Sequence, residues 1–259
     1  MFCCCEACKN AAKNGGKDIR TRTQALIDDD LLVDFPADTY AHFLKYGYDF
    51  GKLRHLLITH SHSDHLYADD LGIRRRGFSK VGHDEPLHIY VGESGRKLIE
   101  ESCEGYTVPN GNIVLHDLIA WQSFQAGAYT VTPIPASHAP NSSPFVFLIE
   151  KGGKTLFYAN DTGALPAETY GEIKRRGFKI DFISADCTMM ENPPYYGHFG
   201  LSEVADMEKI LRENGNLRDG CKTVITHFSH NAYVSHAYME KLVEKYGYGV
   251  AYDGMTVEF

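Results

Sequence analysis

The run Thr59-His60-Ser61-His62-Ser63-Asp64-His65 crowds three imidazoles and a carboxylate into one short stretch, a donor set suited to borderline divalent metals. His60 and His62 alternate, so both rings leave the end of an extended Leu56-Leu57-Ile58-Thr59 segment on one side. Asp64 and His65 fall where the chain is expected to turn into a helix, aimed away from the first pair and toward a second ion. Two ions about 3.5–4 Å apart form the clamp that hydrolyses phosphate esters and amides. Four side chains do not saturate two ions, so further donors have to come from distant strand ends, where a rigid element can hold them. His138 follows the apolar run Tyr129 to Ile134, Asp161 closes Phe157-Tyr158-Ala159-Asn160, and His227 closes Val224-Ile225-Thr226. Taken singly, each of these three also reads as a solvated strand end.

The His-x-His-x-Asp-His order resembles the signature of the metallo-β-lactamase superfamily, and His138, Asp161 and His227 follow it in the order and spacing of that superfamily's later motifs. The resemblance implies an α/β fold, an αββα sandwich of two mixed β-sheets flanked by helices, with the metals at one edge of the sheets. It assigns His60, His62 and His138 to one metal and Asp64, His65 and His227 to the other, with Asp161 bridging. The nucleophile would be a metal-bridging hydroxide, its parent water's pKa drawn down toward about 7. Asp64 would orient it or take its proton as well as ligate. Imidazole with carboxylate suits zinc, and the same set accepts manganese or iron.

Seven cysteines are an odd number, and four of them crowd into Cys3-Cys4-Cys5-Glu6-Ala7-Cys8, which points to metal rather than to disulfides. Cys3, Cys5 and Cys8 offer three thiolates on a tight N-terminal zinc-binding loop within residues 1–20, with Cys4 a bystander. His230, three residues after His227, is the expected fourth ligand of one structural zinc. The competing reading is a reduced cysteine-rich terminus without metal. Cys103, Cys187 and Cys221 read as buried thiols. The loop, the histidine motif and His230 together resemble the branch that contains the phosphoribosyl 1,2-cyclic phosphate phosphodiesterase, and the same loop occurs in a relative linked to pyrroloquinoline quinone synthesis. Members of the branch begin with a strand before the cysteines; here Met1-Phe2 precede them directly, so a sheet edge is expected to lie uncovered. By the same resemblance His198 binds phosphate and protonates the leaving oxygen, against a plain helix-entry histidine in a glycine loop. Asp186, at the end of the preceding strand, is placed to hold the far nitrogen of His198 and raise its pKa. Arg74-Arg75-Arg76 reads as a solvated helix end or as an anion-steering patch.

The elements that must position these residues are legible from the remaining pattern. Residues 1–259 suit one large domain, with 43% hydrophobic and 23% charged residues and no repeat or linker. Gln24 to Asp28 and Leu31 to Asp34 read as a hairpin, Thr39 to Tyr46 as a helix, Leu53 to Thr59 as the strand before the motif, and Asp64 to Arg75 as a helix. His88 to Val91 and Asn112 to Leu115 read as strands on either side of a helix from Ser94 to Cys103. Strands are expected at Tyr129 to Ile134, Phe145 to Glu150, Thr155 to Ala159, Asp181 to Ala185 and Lys222 to Thr226, and helices at Pro166 to Arg176, Leu201 to Arg212 and Ser235 to Tyr246. No membrane-length apolar run and no leader stand out, so a cytoplasmic protein is expected. A net charge of −8 argues against long nucleic acid.

The expectation is a dinuclear metal-dependent phosphodiesterase whose partner is a small, cyclic or open, phosphate diester, with no membrane, the chain working alone or as a homodimer. The rivals are a tRNA 3′-processing type of nuclease, a β-lactam or thioester hydrolase, and a non-catalytic metal-binding module whose mark would be lost ligands.

Overall fold

The computed structural model describes residues 2–80, 85–103, 108, 110–195, 197–232 and 235–259. In chain order its elements are α1 (Glu6–Asn14), β1 (Ala25–Ile27), β2 (Leu31–Val33), α2 (Thr39–Tyr46), β3 (His55–Leu57), β4 (Leu87–Val91), α3 (Glu93–Cys103), β5 (Ile113–Asp117) and β6 (Phe124–Ala126). They continue as β7 (Tyr129–Pro135), β8 (Phe145–Lys151), β9 (Lys154–Ala159), α4 (Ala167–Arg176), β10 (Ile180–Asp186), α5 (Leu201–Glu213), β11 (Leu217–Thr226), α6 (His236–Val243) and β12 (Gly249–Val250). The chain divides into two compact units: unit I is Arg22–Pro135 with Ala139–Phe145, and unit II is Val146–Phe259 with Met1–Thr21 and Ala136–His138.

In unit I, β1 and β2 form the expected antiparallel hairpin, and β2, β3, β4 and β5 then run parallel side by side. Leu32, Leu56, Ile58, Ile89 and Val91 bury themselves against Ile99 and Cys103 of α3 and against Leu66 and Leu71. A fully buried side chain of this kind contributes about 1.5–3 kcal/mol. A one-residue slip of β3 would turn that row to the other face, so the register that delivers His60 is fixed by the core. β6 and β7 form a second hairpin, turning at Gly127, where φ is 60°. A Cβ there would lie 2.8 Å from the His55 Nε2, so the turn needs glycine twice over.

No α-helix follows Asp64. The segment turns instead, with only a 3-10 stretch at Ala68–Ile73. The reason lies across the sheet edge: Phe35 N donates to the His65 carbonyl at 2.7 Å and Tyr67 N to the Phe35 carbonyl at 2.7 Å. Those bonds take the groups a helix would have used, so tertiary pairing with the end of β2 overrides the local propensity. Arg74 does not end a solvated helix either; it donates to the Asn112 carbonyl at 3.3 Å and the Glu85 carbonyl at 2.9 Å.

In unit II, β8 and β9 are antiparallel and β9, β10, β11 and β12 are parallel. Both sheets are therefore mixed, with helices beside them, as the resemblance implied. Val204, Met207 and Leu211 make the buried stripe of α5, while Glu203 accepts from the Gly200 backbone N at 2.9 Å and caps its first turn. The N-terminal segment differs from the expected loop: residues Glu6–Asn14 are helical, so Cys8 sits on α1, and Cys5 is its N-cap. No residue of α1 is buried. Of the lone thiols, Cys103 and Cys187 are fully buried, whereas Cys221 is only half-buried. Among the described residues no helix is long and apolar enough to cross a membrane.

Candidate metal centre

Each unit gathers its own set of candidate ligands at the C-terminal ends of parallel strands. In unit I the chain leaves β3 at Ile58 and Thr59 and brings His60, His62, Asp64 and His65 together. The His60 Nε2 lies 2.9 Å from the His62 Nδ1. A tetrahedral zinc with Zn–N of about 2.05 Å sets two nitrogens about 3.3 Å apart, so the pair sits slightly inside that edge and could face a single metal. The His65 Nε2 turns toward Asp64, 3.7 Å from its Oδ2.

Behind these ligands stands a residue the sequence reading missed. Asp34, fully buried at the end of β2 with φ at 66°, accepts from His65 Nδ1 at 2.7 Å and from Thr59 N at 2.8 Å. The Thr59 Oγ1 is 2.9 Å from the Asp34 Oδ1, 3.0 Å from His60 Nδ1 and 3.2 Å from His65 Nδ1. Burial pushes the Asp34 carboxyl up, and the His65 ring and the Thr59 donors oppose that shift. A carboxylate on Nδ1 fixes the tautomer and presents Nε2 as the donor to a metal. The signal for Asp34 was present: a charged residue closing the wholly buried strand Leu31-Leu32-Val33, the same pattern that marks Asp161.

In unit II, Asp161 lies two residues past β9, Asp186 ends β10 and His227 directly follows β11, and ligand atoms of Asp161, Asp186, His198 and His227 lie within 4.8 Å of one another. The Asp161 carboxylate faces two rings, with Oδ1 3.0 Å from the His227 Nε2 and Oδ2 3.9 Å from the His138 Nε2. His138 donates from Nδ1 to the Gly197 carbonyl at 3.0 Å, which turns its Nε2 inward. That contact needs Gly197: its φ is 76°, and a Cβ would meet the His138 Cα at 2.8 Å. The His198 Nδ1 donates to the Asp186 Oδ2 at 2.8 Å. Burial alone would lower the His198 pKa, but the Asp186 carboxylate outweighs it and the net shift is upward. Thr188, also missed in the sequence, places Oγ1 2.7 Å from the His227 Nδ1.

Cys3, Cys5, Cys8 and His230 form a further cluster within unit II. The His230 Nδ1 is 3.4 Å from the Cys3 Sγ and 3.5 Å from the Cys5 Sγ. A zinc tetrahedron with Zn–S of about 2.3 Å and Zn–N of about 2.05 Å has an S···N edge of about 3.5 Å, so the donors fit that ion. The sulfurs compete for charge. The Cys8 backbone N–H and the His230 ring draw the Cys5 thiol down to about 6, and the adjacent Cys5 pushes Cys8 up to about 11. A divalent cation resolves that competition. Cys4 is exposed and outside the cluster.

Strand-end imidazoles and carboxylates on two mixed sheets define a protein of the metallo-β-lactamase fold. A family model described as the beta-lactamase superfamily domain matches residues 32–228, and the chain belongs to that family. Ribonuclease Z of Pyrococcus abyssi is 31% identical over 118 residues, 45% of this chain and 38% of that protein. Ribonuclease Z of Methanothermobacter thermautotrophicus is 30% identical over 148 residues, 56% of this chain and 47% of that protein. The match thus spans less than half the length of these curated relatives. Among solved structures, zinc-bound PqqB from Methylobacterium extorquens superposes with a TM-score of 0.72 at 16% identity, covering 100% of this chain and 95% of that one. The metallo-β-lactamase fold protein YhfI from Bacillus subtilis gives 0.69 at 19% identity, covering 91% of each chain. At these identities the two structures speak to the fold alone.

Proposed function

We propose that this chain is a metal-dependent phosphodiesterase acting on a small phosphate diester, a cyclic one included. The observation that carries the reading is His198, held through Nδ1 by Asp186 at 2.8 Å beside the strand-end ligands Asp161 and His227. A hydrolase that only needed a metal nucleophile would not need a fixed imidazole there; an ester with a poor alkoxide leaving group does. The two relatives named Ribonuclease Z support phosphodiester chemistry as well.

In this reading His60, His62, Asp64 and His65 of unit I and His138, Asp161 and His227 of unit II would serve as the ligands of two active-site ions, as the order of motifs implies. Zinc, manganese or iron suits the donors. Bound there, the ions supply Lewis acidity and a hydroxide nucleophile near neutral pH. The chain's own residues do the rest. Asp34 and Thr59 orient His60 and His65, Asp64 orients the attacking water, His198 contacts a phosphate oxygen and protonates the leaving one, and Asp186 keeps its Nε2 directed outward. Cys3, Cys5, Cys8 and His230 hold a structural zinc that pins the N-terminus three residues from His227.

A second reading, a nuclease acting on RNA ends, draws on the names of the same relatives; the net charge of −8 weighs against a long polyanion. Turnover of bis(p-nitrophenyl) phosphate and of a ribose cyclic phosphate, with none of nitrocefin or a thioester, is the expected outcome. Cleavage of a precursor tRNA at rates far above both diesters would replace the first reading with the second, and hydrolysis of nitrocefin or the thioester alone would overturn both.

A further inference from the structure

We infer that Thr188 is the positioning residue through which Asp186 governs a metal ligand, His227, as well as the proton donor His198. The inference rests on the reading of those two histidines given above.

Asp186 is fully buried at the end of β10, and its two oxygens have divided duties. Oδ2 takes the His198 Nδ1 at 2.8 Å and the Thr162 backbone N at 3.3 Å. Oδ1 takes Thr188 twice, from its backbone N at 2.8 Å and from its hydroxyl at 2.8 Å. That double hold on one oxygen stops the threonine side chain from turning away. Its Oγ1 then sits 2.7 Å from the His227 Nδ1 and 2.7 Å from the His227 carbonyl. A hydroxyl has one proton to give and two lone pairs to accept with. An imidazole that ligates through Nε2 carries its proton on Nδ1, so the ring donates to Thr188, and with the threonine proton given to the Asp186 carboxylate the bonds run on to Oδ1. The chain His227, Thr188, Asp186 is thus a relay of donors in one direction, each bond polarising the next.

Backbone pairing keeps the relay short. β10 and β11 run in register as far as Asp186 and Thr226, and Cys187 N donates to the Thr226 carbonyl at 2.9 Å, so the two strand ends are zipped up to the residues concerned. His227 itself has φ at 61°, a conformation that disfavours side chains.

The test compares Thr188→Val, Thr188→Ser and Asp186→Asn in the full chain, reading zinc affinity by competition with a chromophoric chelator and no substrate present. Thr188→Val should weaken zinc binding by about 10–100-fold, the usual effect of losing a ligand's hydrogen-bond partner. Thr188→Ser, which keeps the hydroxyl, should stay within about threefold of the parent on the same scale. Thr188→Val combined with Asp186→Asn should bind zinc no more weakly than the worse single variant, since both act along one path. Parental affinity in Thr188→Val, or equal losses in the Val and Ser variants, would overturn the inference. Should the Val variant not fold, Asp186→Asn decides: unchanged zinc affinity there refutes the relay. Because zinc release is read without substrate, an enzyme that proved inactive on diesters would sink the proposed function and leave this result standing.

Discussion

The two units build the same device from the same parts and use it differently. In unit I a buried Asp34 takes the backbone N and hydroxyl of Thr59, and the hydroxyl reaches the Nδ1 atoms of His60 and His65. In unit II a buried Asp186 takes the backbone N and hydroxyl of Thr188, and that hydroxyl reaches the Nδ1 atoms of His198 and His227. Each carboxylate also touches one ring directly, His65 at 2.7 Å in the first and His198 at 2.8 Å in the second. The difference is where the rings ride. His60 and His65 both belong to the turn after β3 and both read as ligands, whereas His198 arrives on a separate loop and leaves only His227 on the strand end. Orienting a ring and choosing its task are therefore separable: the carboxylate and threonine do the first, and the element that carries the ring does the second.

The comparison predicts that removing the directly held ring has opposite consequences in the two units. His198→Ala should slow an alkyl phosphodiester by about 10²–10⁴-fold and leave metal content intact, with a much smaller deficit on an activated aryl diester whose leaving group departs without a proton. His65→Ala should instead strip metal. Metal loss in His198→Ala would place that ring among the ligands and dissolve the distinction.

Next in size is Asp34→Ala. It strands the His65 ring and two Thr59 donors in a fully buried place, and breaking a buried pair of this kind costs about 3–5 kcal/mol. Urea unfolding of the variant should show that loss, and a midpoint close to the parent's would mean the unit I device is dispensable.

A smaller effect concerns pH. The protonated, donating form of His198 is held to higher pH than in a free imidazole, because the Asp186 carboxylate more than offsets burial. Rate on an alkyl diester should therefore fall as pH rises through that raised pKa. Asp186→Asn removes an offsetting charge, so the falling limb should move to lower pH. An unmoved limb would assign it to another group.

The mildest expectation is for the cysteine cluster. Cys5→Ser with Cys8→Ser should lower zinc by about one ion per chain, judged by elemental analysis, with the other ligand sets untouched. Unchanged zinc content would return the terminus to a metal-free thiol cluster.

What the sequence disclosed divides along physical lines. The strand-end residues His138, Asp161 and His227 were legible as candidates because a polar residue closing an apolar run is a local pattern, and α2 was read with its observed ends because helical spacing is local as well. The helix expected after Asp64 failed because the His65 carbonyl and the Tyr67 N–H are spent on Phe35, a contact that no local window contains. Thr59 and Thr188 escaped notice because a threonine at a strand end is ordinary until its hydroxyl is seen between a carboxylate and a ring. β12 is a two-residue strand, too short for alternation to register, and α1 lacks the buried stripe that periodicity detects.

Gly163 and Gly197 meet backbone to backbone: a Cβ on Gly163 would lie 3.1 Å from the Gly197 Cα, and one on Gly197 would lie 2.8 Å from the Ser137 carbonyl oxygen. For any descendant of this sequence, the place of His198 is tied to a side chain that is missing: a β-carbon at position 197 has nowhere to sit, so a change there has to come with movement of the Ser137 and His138 backbone.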